Sequence, residues 1–324
     1  MFPRPPADLS KVKRLSIKSR PRKVKLADFA KPLGREASSA NFLRNLPNSL
    51  KAADFRRLID LIIEAKKKGK PVILLMGAHV IKVGVSPLLI ELVKEKVITH
   101  LATNAAGIIH DVELAFWGIT SEEVAENIAD GSFGMSRETA DFLNQLAQET
   151  AGEELGLGEL VCRKLASFSP TNKDFSLLYS CHQQAVPVTV HVAIGTDTIC
   201  QHPNFDGAFW GEKSYLDFKI LVESLKDLAE GGVVLNLGSA VVLPEVFLKA
   251  LTVARNLYGR ITGFAAANFD MIQHYRPNEN VVRRPTMTGG QGFSFTGHHE
   301  IMIPLLAWGI LGGLRQQTSL SEND

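Results

Sequence analysis

The stretch 70–111, KPVILLMGAHVIKVGVSPLLIELVKEKVITHLATNAAGIIHD, restricts the fold of this chain more than any other. Two short apolar runs, 71–76 and 97–102, flank a segment in which Leu88, Leu89, Leu92 and Val93 recur at helical spacing. The order is therefore strand, helix, strand. Each strand ends in a loop of small residues, 77–84 and 103–107. A parallel sheet places its ligands there, beyond the carboxyl ends of its strands.

The pattern repeats along the chain. Residues 50–68 read as an amphipathic helix with Phe55, Leu58, Leu61, Ile62 and Ala65 inward, after a polar, Pro-interrupted stretch at 38–48. Helices follow at 108–117, from Thr120 or Ser121, and from Ser136, and the region 136–184 is a helical insertion poor in strand signals. Strands are expected at 186–194, 233–238, within ITGFAAANFD (261–270) and at VVRRPT (281–286), with helices at 214–228, 243–256 and from about His299 to Arg315. Strands alternating with helices of this length predict an α/β fold built on a doubly wound, mostly parallel, Rossmann-like sheet.

Composition bounds the setting. With 324 residues, 45% of them apolar, the chain is long enough for one large domain at 50–316, between a basic arm and linker at 1–49 and a polar tail at 317–324. The arm holds nine Lys/Arg in its first 25 residues against Asp8 alone, within a net charge of only +2. It has no interleaved aromatics, so a solvated or subunit-docking arm is expected rather than a nucleic-acid platform. Cys162, Cys181 and Cys200 have no CxxC spacing, which points to buried thiols in a cytoplasmic protein. The longest apolar run, 301–314, is interrupted by Pro304 and falls short of the ~20 residues a membrane span requires.

Five loops follow the expected strands: GAHVIKVG, TNAAGIIHD, GTDTICQHPNFDG, LGSAVVLPE and AAANFDMIQHYRPNE. Their small residues admit main-chain N–H groups and helix N-termini to a diphosphate, although none has GxGxxG or GxxxxGK[ST] spacing. In GHHE, His298 and His299 are adjacent, so on a helix they point about 100° apart. No metal site is expected from them. The plainer reading of this pair is a helix N-terminus whose imidazoles bond a ligand or the backbone.

Taken in order, MGAHVIKVG, TNAAGIIHD, PVTVHVAIGTD, LGSAVV, NFD, RPNENV and IMIPLL resemble deoxyhypusine synthase, an NAD-dependent family with a Rossmann-like fold that works as a homotetramer. The resemblance implies NAD contacts from Ala78, His79, Val80, Ile81 and Lys82. It implies the same for Asn104, Ala105, Ala106, His110, Asp197, Ser239, Ala265, Ala266, His298 and His299. Asp270 and Glu279 match acidic positions of the family's polyamine pocket, His202 stands where the family has an aspartate, and His110 replaces a family glutamate. Arg283, Arg284 and Pro285 occupy the places of a Trp, a Gly and the imine-forming Lys, and no lysine follows Lys249. A guanidinium, with a pKa above about 12, forms no imine at neutral pH.

The expectation is thus a deoxyhypusine synthase-like NAD-binding protein, an enzyme acting on an amine or amino-acid-like substrate without making deoxyhypusine. His202, Asp270, Glu279 and Arg283 are its candidate catalytic groups. The arginines favour an anionic or zwitterionic small molecule. Three rival readings stand beside it. The first is an ornithine cyclodeaminase-like NAD-dependent deaminase, suggested by an HDVE-like motif at His110, Asp111, Val112 and Glu113. The second is a nucleotide-binding regulatory protein without catalysis, and the third a metal-assisted hydrolase at His298, His299 and Glu300.

Overall fold

The computed structural model describes residues 6–16, 19, 25–32 and 39–321. Six parallel strands form one sheet: β1 (Val72–Met76), β2 (His100–Asn104), β3 (Val188–His191), β4 (Val233–Leu237), β5 (Ala265–Asp270) and β6 (Gln291–Thr296). Their spatial order is β3-β2-β1-β4-β5-β6. The chain leaves β1 toward one edge, returns to β4, and leaves toward the other. The reversal opens a crevice between the carboxyl ends of β1 and β4, as in doubly wound folds generally.

β1 and β4 are buried along their whole length because helices cover both faces of the sheet. On one face lie the helices Leu50–Lys67 and His299–Ser321, whose apolar sides close over Phe55, Phe269, Phe293 and Phe295. The Phe55 ring meets the Phe269 and Phe295 rings edge-on, at 6.2 and 5.4 Å between centroids. On the other face, the helices Gly207–Ser224 and Val242–Tyr258 pack through Leu221, Phe247 and Leu251.

The first five strands coincide with the apolar runs of the sequence. The sixth does not. VVRRPT is not a strand: residues Asn278–Arg283 form a π-helix that passes into the short helix Arg284–Thr286. Pro285 has no N–H for a ladder, and Asn280 bonds both Glu245 (2.8 Å) and Arg284 (2.8 Å). The edge strand is instead QGFSFT, where Phe293 and Phe295 alternate with polar residues behind a glycine-rich lead that hides them. Two further differences concern helix bounds. A helix at Ser39–Asn45 occupies the expected polar linker, and the last helix continues to Ser321, into the expected tail. Arg56 anchors the linker helix by bonding the carbonyls of Leu43, Leu46 and Pro47.

Two buried carboxylates fasten the helical insertion. Asp217 Oδ2 accepts from Gly158 N (2.9 Å) and Val190 N (2.7 Å), tying the helix Leu157–Phe168 to β3, and burial pushes its pKa up to about 8. Asp111, with a pKa pushed up to about 6 by burial, accepts from the Leu177 and Leu178 amides and from the Ser176 hydroxyl. Across the sheet, His100 and His191 share the Thr189 hydroxyl, and burial lowers both to about 3.

A pH dependence follows. A carboxyl raised from 3.8 to about 8 binds its proton longer in the folded chain, so its contribution is complete below 3.8 and is lost as pH rises toward 8. Between about pH 4 and 6 the two histidines oppose Asp111 and Asp217, because there the unfolded imidazoles hold the extra protons. From pH 6.5 to 8, Asp217 acts alone among these four. Urea unfolding should lose up to ~1.4 kcal/mol per pH unit in that window. Asp217→Asn should flatten the slope.

Candidate functional site

The crevice between β1 and β4 is narrow because two glycines meet in it. Gly77 follows β1 and donates to Leu237 O (2.9 Å), while Gly238 follows β4 and donates to Phe269 O (3.0 Å). A Cβ on Gly77 would stand 2.4 Å from Gly238 O. Gly238 has φ +69°, and a Cβ there would stand 2.6 Å from the His299 ring. The two loops are therefore in main-chain contact at the point where the strand order reverses, the place where doubly wound folds hold their ligands.

The imidazole of His299, 1% exposed, closes the crevice. Its Nε2 lies 3.1 Å from Phe269 O, and a carbonyl only accepts, so Nε2 carries the hydrogen. Nδ1 is left as a bare acceptor, buried without a partner. The His79 ring stands 5.5 Å away between centroids. Burial, the largest influence, lowers the His79 pKa, and the Lys82 charge lowers it further against Glu300 and Asp270. A second buried acceptor without a partner, Asn236 Oδ1, lies on β4, where Asn236 Nδ2 donates to Ser239 O (3.0 Å) and Asn268 Oδ1 (2.7 Å). Ser239 Oγ caps the next helix by accepting from Leu243 N (3.2 Å). Asp270, 6% exposed, ends β5 beside this group.

A cavity of about 690 Å³ opens on the β2 and β3 side, between the helix Ala105–Trp117, residues 119–140 and the turn around Thr198–Gln201. Lys82, Ala106, His110 and His202 line it, together with Glu113, Thr120, Glu122, Glu138 and Thr139. Inside it, His110 Nδ1 lies 2.7 Å from Thr120 Oγ1, which donates to Glu113 Oε2 (2.5 Å), and Thr139 Oγ1 donates to Glu113 Oε1 (3.1 Å). Burial acts to raise the Glu113 pKa, but the hydrogen bonds from His110, Thr120 and Thr139 outweigh it and hold the carboxyl below its ordinary value. His202 Nε2 lies 2.9 Å from Gly134 O.

The sequence-expected residues fall into three groups. Ala78, His79, Ser239, Asp270 and His299 gather at the crevice, whereas Lys82, Ala106, His110 and His202 line the cavity. The rest stand apart. Val80, Ile81 and Ala105 are core side chains, leaving only their backbones for a ligand. Asn104 Oδ1 caps its own helix at Gly107 N (3.0 Å), and Asp197 Oδ2 closes its own loop at Ala193 N (2.7 Å), with its pKa raised by burial against that bond. His298 faces solvent, its side chain 62% exposed, 3.8 Å from Glu300.

Three expectations require correction. Ala265 and Ala266 open β5 at its amino end and are buried in the sheet, four to five residues upstream of the carboxyl edge. Glu279 and Arg283 do not line the cavity: Arg283 holds both Glu279 oxygens at 3.1 Å, and Arg284 reaches the same carboxylate at 3.5 Å. The arginine argument for an anionic substrate therefore loses its basis, since these charges are spent on Glu279. Thr120 and Ser121 do not begin a helix, which starts at Val124 behind Glu123. Glu122, exposed in the turn before that helix, accepts from Gly134 N (2.8 Å) and Asn127 Nδ2 (2.6 Å), clipping the wall of the cavity. Sequence reasoning took Thr120 only as a helix start and passed over Thr139, whose only signal was membership of a helical insertion.

Among the described residues, no three His, Cys, Asp or Glu side chains gather as a metal-binding set, and no helix is long and apolar enough to cross a membrane. No family profile and no curated protein matches the chain. Solved structures do. A conserved LOR/SDH-like protein of Methanococcus maripaludis S2 superposes with a TM-score of 0.51 at 16% identity, over 80% of this chain and 69% of that one. AgrE, in a ternary complex with ornithine and NAD+, superposes with a TM-score of 0.52 at 13% identity, over 80% of this chain and 33% of AgrE. This chain thus spans about a third of AgrE. A deoxyhypusine synthase-like protein of Entamoeba histolytica reaches 0.49 at 11% identity, over 88% and 96% of the two chains, and carries no argument here. At such identities the first two likenesses show a shared α/β fold.

Proposed function

We propose that this chain is an NAD-binding enzyme acting on an amine or amino-acid-like substrate, and that it does not make deoxyhypusine. One observation carries the reading: a glycine-walled crevice at the strand reversal, holding a buried acceptor, His299 Nδ1, without a donor. Dinucleotides bring what that crevice lacks, hydroxyl and amide donors together with a diphosphate that needs close backbone approach. Bound there, NAD supplies a hydride acceptor for oxidation of a C–N or C–O bond. Gly77 and Gly238 would keep side chains clear of the diphosphate, His299 Nδ1 would accept from a cofactor donor, and His79 would flank it.

The helix His79–Lys82 starts at the crevice and ends at Lys82 in the cavity wall, so cofactor and substrate spaces adjoin along it. AgrE, which shares the fold, is seen with ornithine and NAD+, and this supports the amino-acid side of the proposal. It keeps a cyclodeaminase-like deamination within the same reading. Against deoxyhypusine synthesis, the lysine position of the resemblance is Pro285, buried, with its carbonyl accepting from Arg255 (2.9 Å). A homo-oligomer, implied by the resemblance, and a cytoplasmic setting, expected from the cysteine pattern, belong to the proposal as well.

NAD+ or NADH at a hundredfold excess over Kd should stabilise the fold by ~2.7 kcal/mol and raise its melting temperature. An unmoved melting temperature with both nucleotides would remove the cofactor. Incubation with spermidine, NAD+ and a translation-factor acceptor should transfer no butylamine group, and any transfer would overturn the second half of the proposal.

A further inference from the structure

The cavity contains a hydrogen-bond chain whose polarity can be assigned. Glu113, held below its ordinary pKa by its partners, is a carboxylate and only accepts. The single hydroxyl hydrogen of Thr120 is therefore spent on Glu113 Oε2 at 2.5 Å. Thr120 Oγ1 then has only lone pairs for His110 Nδ1 at 2.7 Å, so Nδ1 must carry the imidazole hydrogen. The neutral ring is thereby left with its lone pair on Nε2. A carboxylate orienting an imidazole in this way leaves the far nitrogen ready to take a proton, here with a hydroxyl interposed.

The backbone is bent to make this chain. Gly118 ends the helix Ala105–Trp117 at φ +69°, and Ser121 takes φ +67°, a left-handed conformation that non-glycine residues adopt at a cost. The turn between them returns Thr120 to the helix, seven residues beyond Glu113 and ten beyond His110. The charge around His110 has a definite sign. Glu113 comes from its own helix, Glu122 from the turn, Glu138 from the helix Arg137–Asn144, and Lys82 and His202 from across the cavity. With Glu138 paired to Arg137 at 3.0 Å, Glu113 and Glu122 remain against the Lys82 ammonium, which suits a cation, while Ile109, Trp117 and Phe133 offer apolar surface for a carbon skeleton.

We propose that this cavity is the binding chamber for a primary amine, that His110 Nε2 takes the proton of its ammonium group, and that Thr120 and Glu113 are positioning residues that fix the His110 tautomer. In the step, an N–H bond of the ammonium breaks, its electron pair stays on the amine nitrogen, and the proton forms a bond to Nε2. The resulting imidazolium is stabilised through Thr120 by the Glu113 carboxylate. The proposal rests on the reading of the cavity as the substrate space, but its first test requires no cofactor.

In the protein labelled with nitrogen-15 and free of nucleotide, neutral His110 should show the Nδ1–H tautomer. Addition of 1,4-diaminobutane or L-ornithine should shift the Nε2 resonance, and succinate should not. Thr120→Val should release the ring to a tautomer mixture richer in Nε2–H, and Thr120→Ser should restore the Nδ1–H form. With L-ornithine and NAD+, His110→Gln should lower kcat by about 10²–10⁴-fold. Thr120→Val should lower kcat with little change in KM, and Thr120→Ser should recover it. An Nε2–H tautomer in the unaltered protein, amines that leave the resonance unmoved, or a response to succinate instead would overturn the proposal. A protein that shows the tautomer and the amine response yet ignores NAD+ would sink the cofactor reading and leave this one standing.

Discussion

Gly77→Ala should abolish the thermal stabilisation by NAD+ and cost the fold ~1–3 kcal/mol, the usual range for forcing volume into packed structure. The added Cβ would meet the Gly238 carbonyl at 2.4 Å and its carbon at 2.8 Å. These are main-chain atoms, and Gly238 N is tied to Phe269 O at 3.0 Å, so the loop cannot yield as a flexible side chain would. Relief requires the loops after β1 and β4 to spread, which deforms the crevice. Gly84→Ala is the control. Gly84, unlike Gly77, has a left-handed backbone, φ +76°, and a Cβ there meets nothing within 4 Å. It should lose ~1 kcal/mol of backbone preference and keep its response to the nucleotide. Equal loss of that response in both variants, read by melting curves with and without NAD+, would show that the crevice is not the nucleotide site.

A second large effect is expected one residue from the proposed proton acceptor. Asp111→Ala should destabilise the protein by ~3–5 kcal/mol in urea unfolding, because it strands buried donors. Asp111 is fully buried, and its carboxylate receives the Leu177 amide at 2.8 Å, the Leu178 amide at 3.3 Å and the Ser176 hydroxyl. Those groups open the helix Leu177–Gln183, so the substitution detaches that helix from the helix Ala105–Trp117. His110→Gln, in contrast, alters a partly exposed ring at the cavity wall and should leave the unfolding midpoint nearly unchanged while turnover falls. Adjacent positions of the HDVE-like motif thus divide between holding the fold and handling a proton. A small stability loss in Asp111→Ala would show that the insertion is fastened elsewhere.

Much of the fold was legible because buried parallel strands are written as short apolar runs. VILLM, VVLNL and the β-branched VTVH signal their burial without regard to what surrounds them. QGFSFT was not legible, since two phenylalanines behind a glycine-rich segment carry less signal than the β-branched VVRRPT upstream, which the fold coils into a π-helix. The site divided in the same way. Small residues after β1 and β4 marked the crevice, because close backbone approach demands them. Arg283 read as a substrate contact because it was charged and near a motif, yet the i, i+4 spacing of a helix gives it to Glu279.

The His110, Thr120 and Glu113 chain had no sequence signature. It depends on a left-handed Ser121 and on a hydroxyl returned to a helix face, and neither follows from residue type.

By itself, then, the amino-acid sequence determined the alternation of strands and helices and the edge of the sheet where a ligand would lie. Both arise from local periodicity and small-residue punctuation, properties of neighbours along the chain. Only the tertiary structure decided which polar groups face one another: it buried Asp111 under a helix 65 residues away, and aimed His110 into a cavity whose walls come from three distant segments. The reason is physical. Hydrogen bonds and charge pairs act over a few ångströms in space, and distance along the chain does not specify which polar groups will come within that range.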